Sequence, residues 1–91
     1  MTAVKTVWHD DDDFCVELNA EGIGVVYAFP ISELAGGVSL SRMMNDRIKE
    51  TLHHNGWMID ATALRAAARE AVSSLREIIE PYFEARGIGG E

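Results

Sequence analysis

The spacing of apolar residues changes near Pro30, and this change constrains the fold more than any other feature of the chain. Before Pro30 apolar and polar residues alternate, most clearly at residues 14–19, where phenylalanine, valine and leucine occupy every second position. Such alternation is typical of β-strands with one buried face. After Ser39 the apolar residues recur every three or four positions, which is typical of amphipathic helices. The sequence therefore predicts an α+β fold, with strands first and helices second.

Three stretches fit β-strands, at residues 4–9, 14–19 and 23–29. A short turn containing Gly22 separates the second from the third, because glycine accepts a positive φ, and the three stretches predict an antiparallel meander. The third stretch is apolar on both faces, which predicts a central strand covered on two sides. The two helices either lie on opposite faces of the sheet or share one face, in which case the other face is expected to dock against another molecule. We favour this second arrangement.

Two helices are predicted after the sheet, preceded by a single helical turn at residues 32–35 that its first residue, a serine, would cap. The first helix is predicted to begin at Ser39 or Ser41, to run to about residue 54 and to stop at Gly56. Trp57, in the loop that follows, is predicted to cover the core.

The last helix is predicted to begin after Asp60, a good N-cap residue. Its apolar positions repeat at intervals of four and three residues. This seam consists of Leu64, Ala68, Ala71, Leu75, Ile78 and Tyr82. Pro81 removes a backbone donor, so a kink or break is expected near Glu80. The seam is expected to pack inside the chain, with a symmetric dimer contact as the alternative.

Acidic charge is concentrated in the first 40 residues. This part carries seven acidic residues against Lys5 alone, whereas the rest carries eight against seven basic ones, and the whole chain has a net charge of −7. Four consecutive aspartates, residues 10–13, fall between the first two strands and are expected at a hairpin tip. They favour basic partners over direct nucleic-acid binding, which needs clustered lysine and arginine. The alternative is a solvated loop that prevents edge-to-edge pairing of sheets.

With 91 residues the chain is expected to form one domain, residues 1–91, with a thin core, so a functional site should lie on the surface. Cys15 is the only cysteine, which excludes an intrachain disulfide and fits a reducing cytoplasm. Because neither a signal peptide nor an apolar stretch long enough to cross a bilayer is visible, we expect no membrane association.

No group of residues predicts a catalytic or metal site. The aspartate run does not fit a calcium-binding loop, because Phe14 would occupy a ligand position and the required glycine is missing. Its carboxylates could hold a divalent cation only loosely. His53 and His54 point about 100° apart on a helix and cannot easily share an ion. His9, beside the aspartates, could act as a general base, but no nucleophile is expected next to it. Alternation along the strand directs Cys15 to the face opposite Phe14. We therefore expect no cofactor, no bound metal and no enzymatic activity.

The predicted function is that of a non-enzymatic acidic module that binds a basic surface of a partner protein. Its most specific form is an inhibitor that mimics nucleic acid and occupies a nucleic-acid-binding groove, as small anti-CRISPR-like phage anti-defence proteins do. This analogy rests on size and charge, since no motif is specific enough to name a family. The alternative is a homodimeric adaptor or chaperone-like protein that works through its helices. The residues expected to contact a partner are Asp10, Asp11, Asp12, Asp13, Glu17, Glu21 and Glu33.

Overall fold

The computed structural model describes residues 4–55 and 58–88. Within these ranges three β-strands come first and three α-helices follow, so the predicted α+β order is confirmed. The strands are β1 (Val4–His9), β2 (Asp13–Ala20) and β3 (Ile23–Pro30), and the helices are α1 (Ile31–Ala35), α2 (Leu40–Asn55) and α3 (Ala61–Arg86). The roles predicted for Gly56 and Trp57 lie outside the described residues.

The three strands form one antiparallel sheet in the order β1-β2-β3, which confirms the meander. The prediction that the third strand is central is wrong, because two consecutive hairpins place the middle segment, β2, between the others. The outward side chains of β3 are exposed, and Val26 retains 59% of its accessible surface. Apolar residues on both faces of a strand therefore do not mean that both faces are covered.

The turn between β2 and β3 is a two-residue loop, formed by Glu21 and Gly22. Both residues have a positive φ, 53° and 86°, as in the hairpin turns whose twist matches the twist of the strands. The side-chain oxygen of Asn19 accepts the backbone N–H of Gly22 at 2.7 Å. The sheet register depends on this turn, because it pairs Ala20 directly with Ile23.

The hydrophobic core lies between one face of the sheet and the two long helices. Phe14, Val16 and Leu18 point from β2 into this core and are fully buried. Helix α3 contacts β1 and β2, while α2 contacts α3 and β3, so both helices share this face. The seam predicted along α3 lies in the core. Leu64, Ala68, Ala71 and Leu75 are buried, and Ile78 and Tyr82 are partly buried beside them.

Helix α1 begins two residues earlier than predicted, because a Ser32 cap would place its first residue at position 33. Pro30 is its N-cap and makes no side-chain capping bond, so the prediction of a Ser32 cap is wrong. The reason is a tertiary contact: the backbone N–H of Ile31 donates to the carbonyl of Asp12 at 2.9 Å, and the Ile31 side chain is buried. Ser32 lies inside the helix, where its carbonyl accepts the N–H of Gly36 at 3.0 Å. The bond between Ile31 and Asp12 joins α1 to the aspartate hairpin.

The caps predicted for the long helices are present. Before α2, the Ser39 hydroxyl accepts the backbone N–H of Arg42 at 3.3 Å, so Ser39 rather than the later serine is the cap. Before α3, the Asp60 carboxylate accepts the N–H groups of Thr62 and Ala63 at 2.8 and 3.2 Å. Each bond satisfies a donor that has no partner within the first helical turn.

Helix α3 continues through Pro81 to Arg86, so the helix does not break near Glu80; the kink expected there as the other outcome stays a prediction. Proline still removes the N–H that would bond to the carbonyl of Glu77, a loss that costs about 3 kcal/mol in a helix interior. Both Glu77 and Pro81 are exposed, so water can reach this carbonyl.

Aromatic packing compensates for the proline. Tyr82 and Phe83, directly after it, contact the buried Phe14 ring edge-on, with ring centroids 5.1 and 5.9 Å apart. Pairs of this geometry add about 0.5–1.5 kcal/mol each beyond the burial of their area. The end of α3 is therefore held against the sheet by tertiary contacts that the local sequence does not reveal.

Candidate functional site

The aspartate run forms a tight turn at the tip of the β1–β2 hairpin, where it was predicted to lie. One carboxylate oxygen of Asp10 accepts the backbone N–H groups of Asp12 and Asp13 at 2.8 and 2.9 Å. These backbone bonds, with a smaller contribution from nearby His9, lower the pKa of the Asp10 carboxyl. Asp10 therefore shapes the turn, while Asp11 and Asp12 are exposed and Asp13 is partly exposed.

The seven acidic residues predicted to contact a partner do not form one patch. The four aspartates share the hairpin tip, and Glu33 lies at the same end of the sheet, in the helix that begins beside Asp12. Glu17 lies midway along β2 and pairs with Lys5 at 3.8 Å. Glu21 occupies the opposite turn, and because β2 spans eight residues it is about 25 Å from the aspartates.

The face of the sheet that the helices leave free carries an apolar strip. Trp8, Cys15 and Ala28 are aligned directly across the three strands, and Val26 lies two residues before Ala28 on β3. Trp8 is 39% exposed and Val26 is 59% exposed, whereas Cys15, between two neighbouring strands, is only 7% exposed. We call these four residues the open-face strip. Exposed apolar groups of this kind mark interaction surfaces when they are contiguous.

Trp8 was not among the residues selected from the sequence, although a signal for it was available. Val7 pairs with the buried Val16, and alternation along the strand then places Trp8 on the opposite face. The strip continues into the acidic hairpin, because Trp8 is two residues before Asp10 and Cys15 is two residues after Asp13. The structure therefore brings an aromatic side chain and the aspartates to the same end of one surface.

Cys15 and His9 do not form a catalytic pair. The His9 ring packs against Phe14 and Tyr82, with centroid distances of 5.8 and 5.0 Å, on the helix-covered side. Cys15 lies on the other face, as alternation predicts. Burial raises the pKa of the Cys15 thiol, and the charges of Asp10 and Asp13 raise it further. A thiol in such surroundings stays protonated and is a poor nucleophile.

In the described part of the chain, no three histidine, cysteine, aspartate or glutamate side chains converge as metal ligands. His53 and His54 are exposed at the end of α2, with ring centroids 5.5 Å apart. Their place in the last helical turn suits the negative end of the helix dipole. No described helix is long and apolar enough to cross a membrane.

A second surface of opposite charge lies between α2 and α3, in a groove of about 520 Å³. Its rim carries the guanidinium groups of Arg65, Arg69 and Arg76, and we call it the arginine groove. Among the described residues, no aspartate or glutamate lines it. The sequence signal for this groove was the spacing of these arginines by four and seven residues, close to one and two helical turns.

No protein family model, no curated protein and no solved structure matches this chain. The functional argument therefore rests on the geometry and charge of the two surfaces. Neither surface brings a nucleophile and a base together, and both are open rather than enclosed.

Proposed function

We propose that this chain is a non-enzymatic binding module that engages a basic surface of a partner protein through its aspartate hairpin and open-face strip. The observation that carries the proposal is the position of Trp8 beside the aspartates, on a sheet face that none of the described helices covers. Tryptophan is the residue type most often found as an energetic anchor in protein interfaces, and charges around such an anchor select the partner.

The two parts of this surface have different roles. Asp11 and Asp12 project from the hairpin tip and would accelerate the approach of a basic partner, an effect that salt screens within about 8–10 Å. Trp8 and Val26 would be desolvated on contact and so slow dissociation. Glu21 is expected to contribute less than the aspartates because it belongs to the distant turn.

The most specific form of the proposal is an inhibitor that occupies the nucleic-acid-binding groove of its partner, in the manner of anti-CRISPR-like anti-defence proteins. The aspartates form a tight turn held by the Asp10 carboxylate, and we expect this turn to enter a basic groove and compete there with phosphates. A cytoplasmic location and the absence of enzymatic activity belong to the same proposal.

The homodimeric adaptor is less well supported. The apolar seam of α3 that would form a dimer contact is buried against the sheet and α2 within one chain. The large apolar side chains that are exposed in the described part of the chain are Trp8, Val26, Val38 and Met58, and none of them lies in α2 or α3. The oligomeric state, monomer or homodimer, stays a prediction that sedimentation at micromolar concentration would decide.

Affinity capture with matched variants tests the proposed function. Immobilised wild-type protein is expected to retain a basic, nucleic-acid-handling protein at low salt, with capture decreasing steeply as ionic strength rises. The triple variant with Asp11, Asp12 and Asp13 changed to asparagine should lose it, while the Trp8→Ser variant should release it faster. Asp10 is left unchanged because its carboxylate holds the turn. Once the partner is identified, addition of the wild-type protein should displace a bound oligonucleotide from it.

The matched control replaces three exposed glutamates of α3, Glu70, Glu77 and Glu84, with glutamine. This variant loses as much negative charge as the aspartate variant but leaves the hairpin intact, so it should retain the partner. Equal capture by the wild type, the control and the aspartate variant would show that the hairpin is only a solvated loop. A partner that leaves its oligonucleotide bound would limit the function to binding without inhibition.

A further inference from the structure

The arginine groove has a construction that differs from the rest of the surface. Arg65, Arg69 and Arg76 project from one side of α3 over a length of about 16 Å, the rise of eleven helical residues. The floor beneath them combines aliphatic side chains with serine and asparagine; Val72 of α3 is its partly exposed apolar residue, and Ile48 of α2 lies deeper and is buried. A basic rim over a partly apolar floor can bind a segment that carries both carboxylates and aliphatic side chains.

The three groove arginines have unused binding capacity. Among the described residues none of them forms an ion pair, and Arg76 makes only a long hydrogen bond of 3.4 Å to the Ser41 hydroxyl. Arg86, on the same helix but outside the groove, lies 3.7 Å above the Tyr82 ring and is thus engaged within the chain. Guanidinium groups present several donors that suit carboxylates, so a partner could use all three.

The smaller hollow beside α1 provides a comparison. It also contains two arginines, Arg42 and Arg47, but Glu33 and Asp46 line it with them. Because its two positive and two negative side chains balance, this hollow favours neither an acidic nor a basic partner. The arginine groove differs because the charged side chains that line it are all positive.

We propose that the arginine groove binds an acidic amphipathic peptide segment of a partner protein, with aliphatic side chains on the apolar floor and carboxylates on the arginines. This site is separate from the aspartate hairpin and does not depend on the function proposed for it. A segment of ten to twelve helical residues, about 15–18 Å long, matches the length of the basic rim.

Two other occupants fit less well. Nucleic acid would meet a protein with a net charge of −7, and three arginines can neutralise only about three phosphates while leaving the apolar floor without a contact. A second copy of this chain could insert its aspartate hairpin, but residues 10–13 offer carboxylates without a single apolar side chain. The aliphatic floor and the arginine rim together favour an acidic amphipathic segment.

Selection from a phage-displayed library of random twelve-residue peptides tests this proposal. Wild-type protein is the bait, and the variant with Arg65, Arg69 and Arg76 changed to glutamine is used to remove peptides that bind elsewhere. Glutamine keeps the helix propensity of arginine, and the thermal unfolding of this variant should match that of the wild type. Arg69→Gln alone serves as the bait for subtraction if the triple variant does not fold.

The expected result is enrichment of peptides that combine aspartate or glutamate with leucine, isoleucine or phenylalanine. The best peptide, synthesised with a fluorophore, should bind the arginine variant about tenfold more weakly than the wild type, because three exposed ion pairs are lost. The variant with Glu70, Glu77 and Glu84 changed to glutamine should bind it as the wild type does. So should the variant with Asp11, Asp12 and Asp13 changed to asparagine, which separates this site from the acidic hairpin.

The proposal is overturned if no enriched peptide distinguishes the wild type from the arginine variant, or if the enriched peptides lack acidic residues. It is also overturned in favour of nucleic acid if a twenty-nucleotide oligonucleotide binds the groove more tightly than the best peptide. Salt-sensitive self-association that both the arginine and the aspartate variants abolish would identify the occupant as a second copy.

Discussion

The two faces of the sheet are built from the same three strands, yet only one of them is covered. On the covered face, Phe14 and Val16 of β2 are fully buried beneath α3. On the open face, Cys15 is flanked by Trp8 and Ala28, and the neighbouring Val26 is largely exposed. Alternation assigns each residue to a face, but it does not say which face the helices will choose. The helices pack where the larger aromatic and aliphatic side chains are, because this buries more apolar area.

This difference separates residues that stabilise the fold from residues available to a partner. Truncation on the covered face should reduce stability, whereas truncation on the open face should affect binding. The hairpin tip contains residues of both kinds, since Asp10 stabilises the turn whereas Asp11 is exposed and available to a partner. The predictions below test this separation, from the largest expected effect to the smallest.

Phe14→Ala should lower the free energy of unfolding by about 3–5 kcal/mol, because it leaves a cavity under α3 and removes the ring contacts with Tyr82 and Phe83. Val26→Ala on the open face should cost about 0.5 kcal/mol. Urea unfolding followed by circular dichroism measures both. Similar losses for the two variants would mean that the second face is also part of the packed core.

Pro81→Ala should raise the free energy of unfolding by about 1–3 kcal/mol, because it restores the hydrogen bond from residue 81 to the carbonyl of Glu77. Pro30→Ala is the matched control at the only other proline of the chain. Pro30 precedes α1 and interrupts no helical bond, so its replacement should be neutral or slightly destabilising. Lower stability of Pro81→Ala in urea unfolding would show that the proline is needed to hold the aromatic residues on the sheet.

Asp10→Asn should destabilise the hairpin in a pH-dependent way, whereas Asp11→Asn should not. The pKa of Asp10 is lowered in the folded chain, so its contribution to stability is present above the ordinary aspartate pKa of 3.8 and is lost as pH falls through the folded value. The difference in urea midpoint between the wild type and Asp10→Asn should therefore be largest near pH 7 and disappear in acid. A difference that is independent of pH would show that the backbone bonds do not depend on the charge.

Trp8→Ala should increase the rate at which iodoacetamide modifies Cys15 by a few-fold, about two to five times, because Trp8 is its direct neighbour on the open face and its loss admits solvent. His9→Ala, on the covered side, is the control and should leave this rate close to that of the wild type. Mass spectrometry at several times measures the extent of modification. Faster modification in the His9 variant alone would place the thiol on the side of the helices.

Local patterns were sufficient for most of the architecture. The strands, the hairpin tip at residues 10–13, the Asp60 cap and the helical seam depend on side-chain period, turn chemistry and capping, all of which act over a few residues. The concentration of acid in the first 40 residues is also visible in the chain itself. These features could be predicted because their causes are close together in sequence.

The tertiary structure alone decided the rest. It carried α3 through Pro81 and started α1 at Ile31. Each of these outcomes depends on contacts between segments far apart in the chain, such as the bond from Ile31 to Asp12. The arginine groove has the same origin, since its rim belongs to α3 while part of its floor belongs to α2. Periodicity determines which side chains share a face, but packing between distant elements determines which of those faces remain available to a partner.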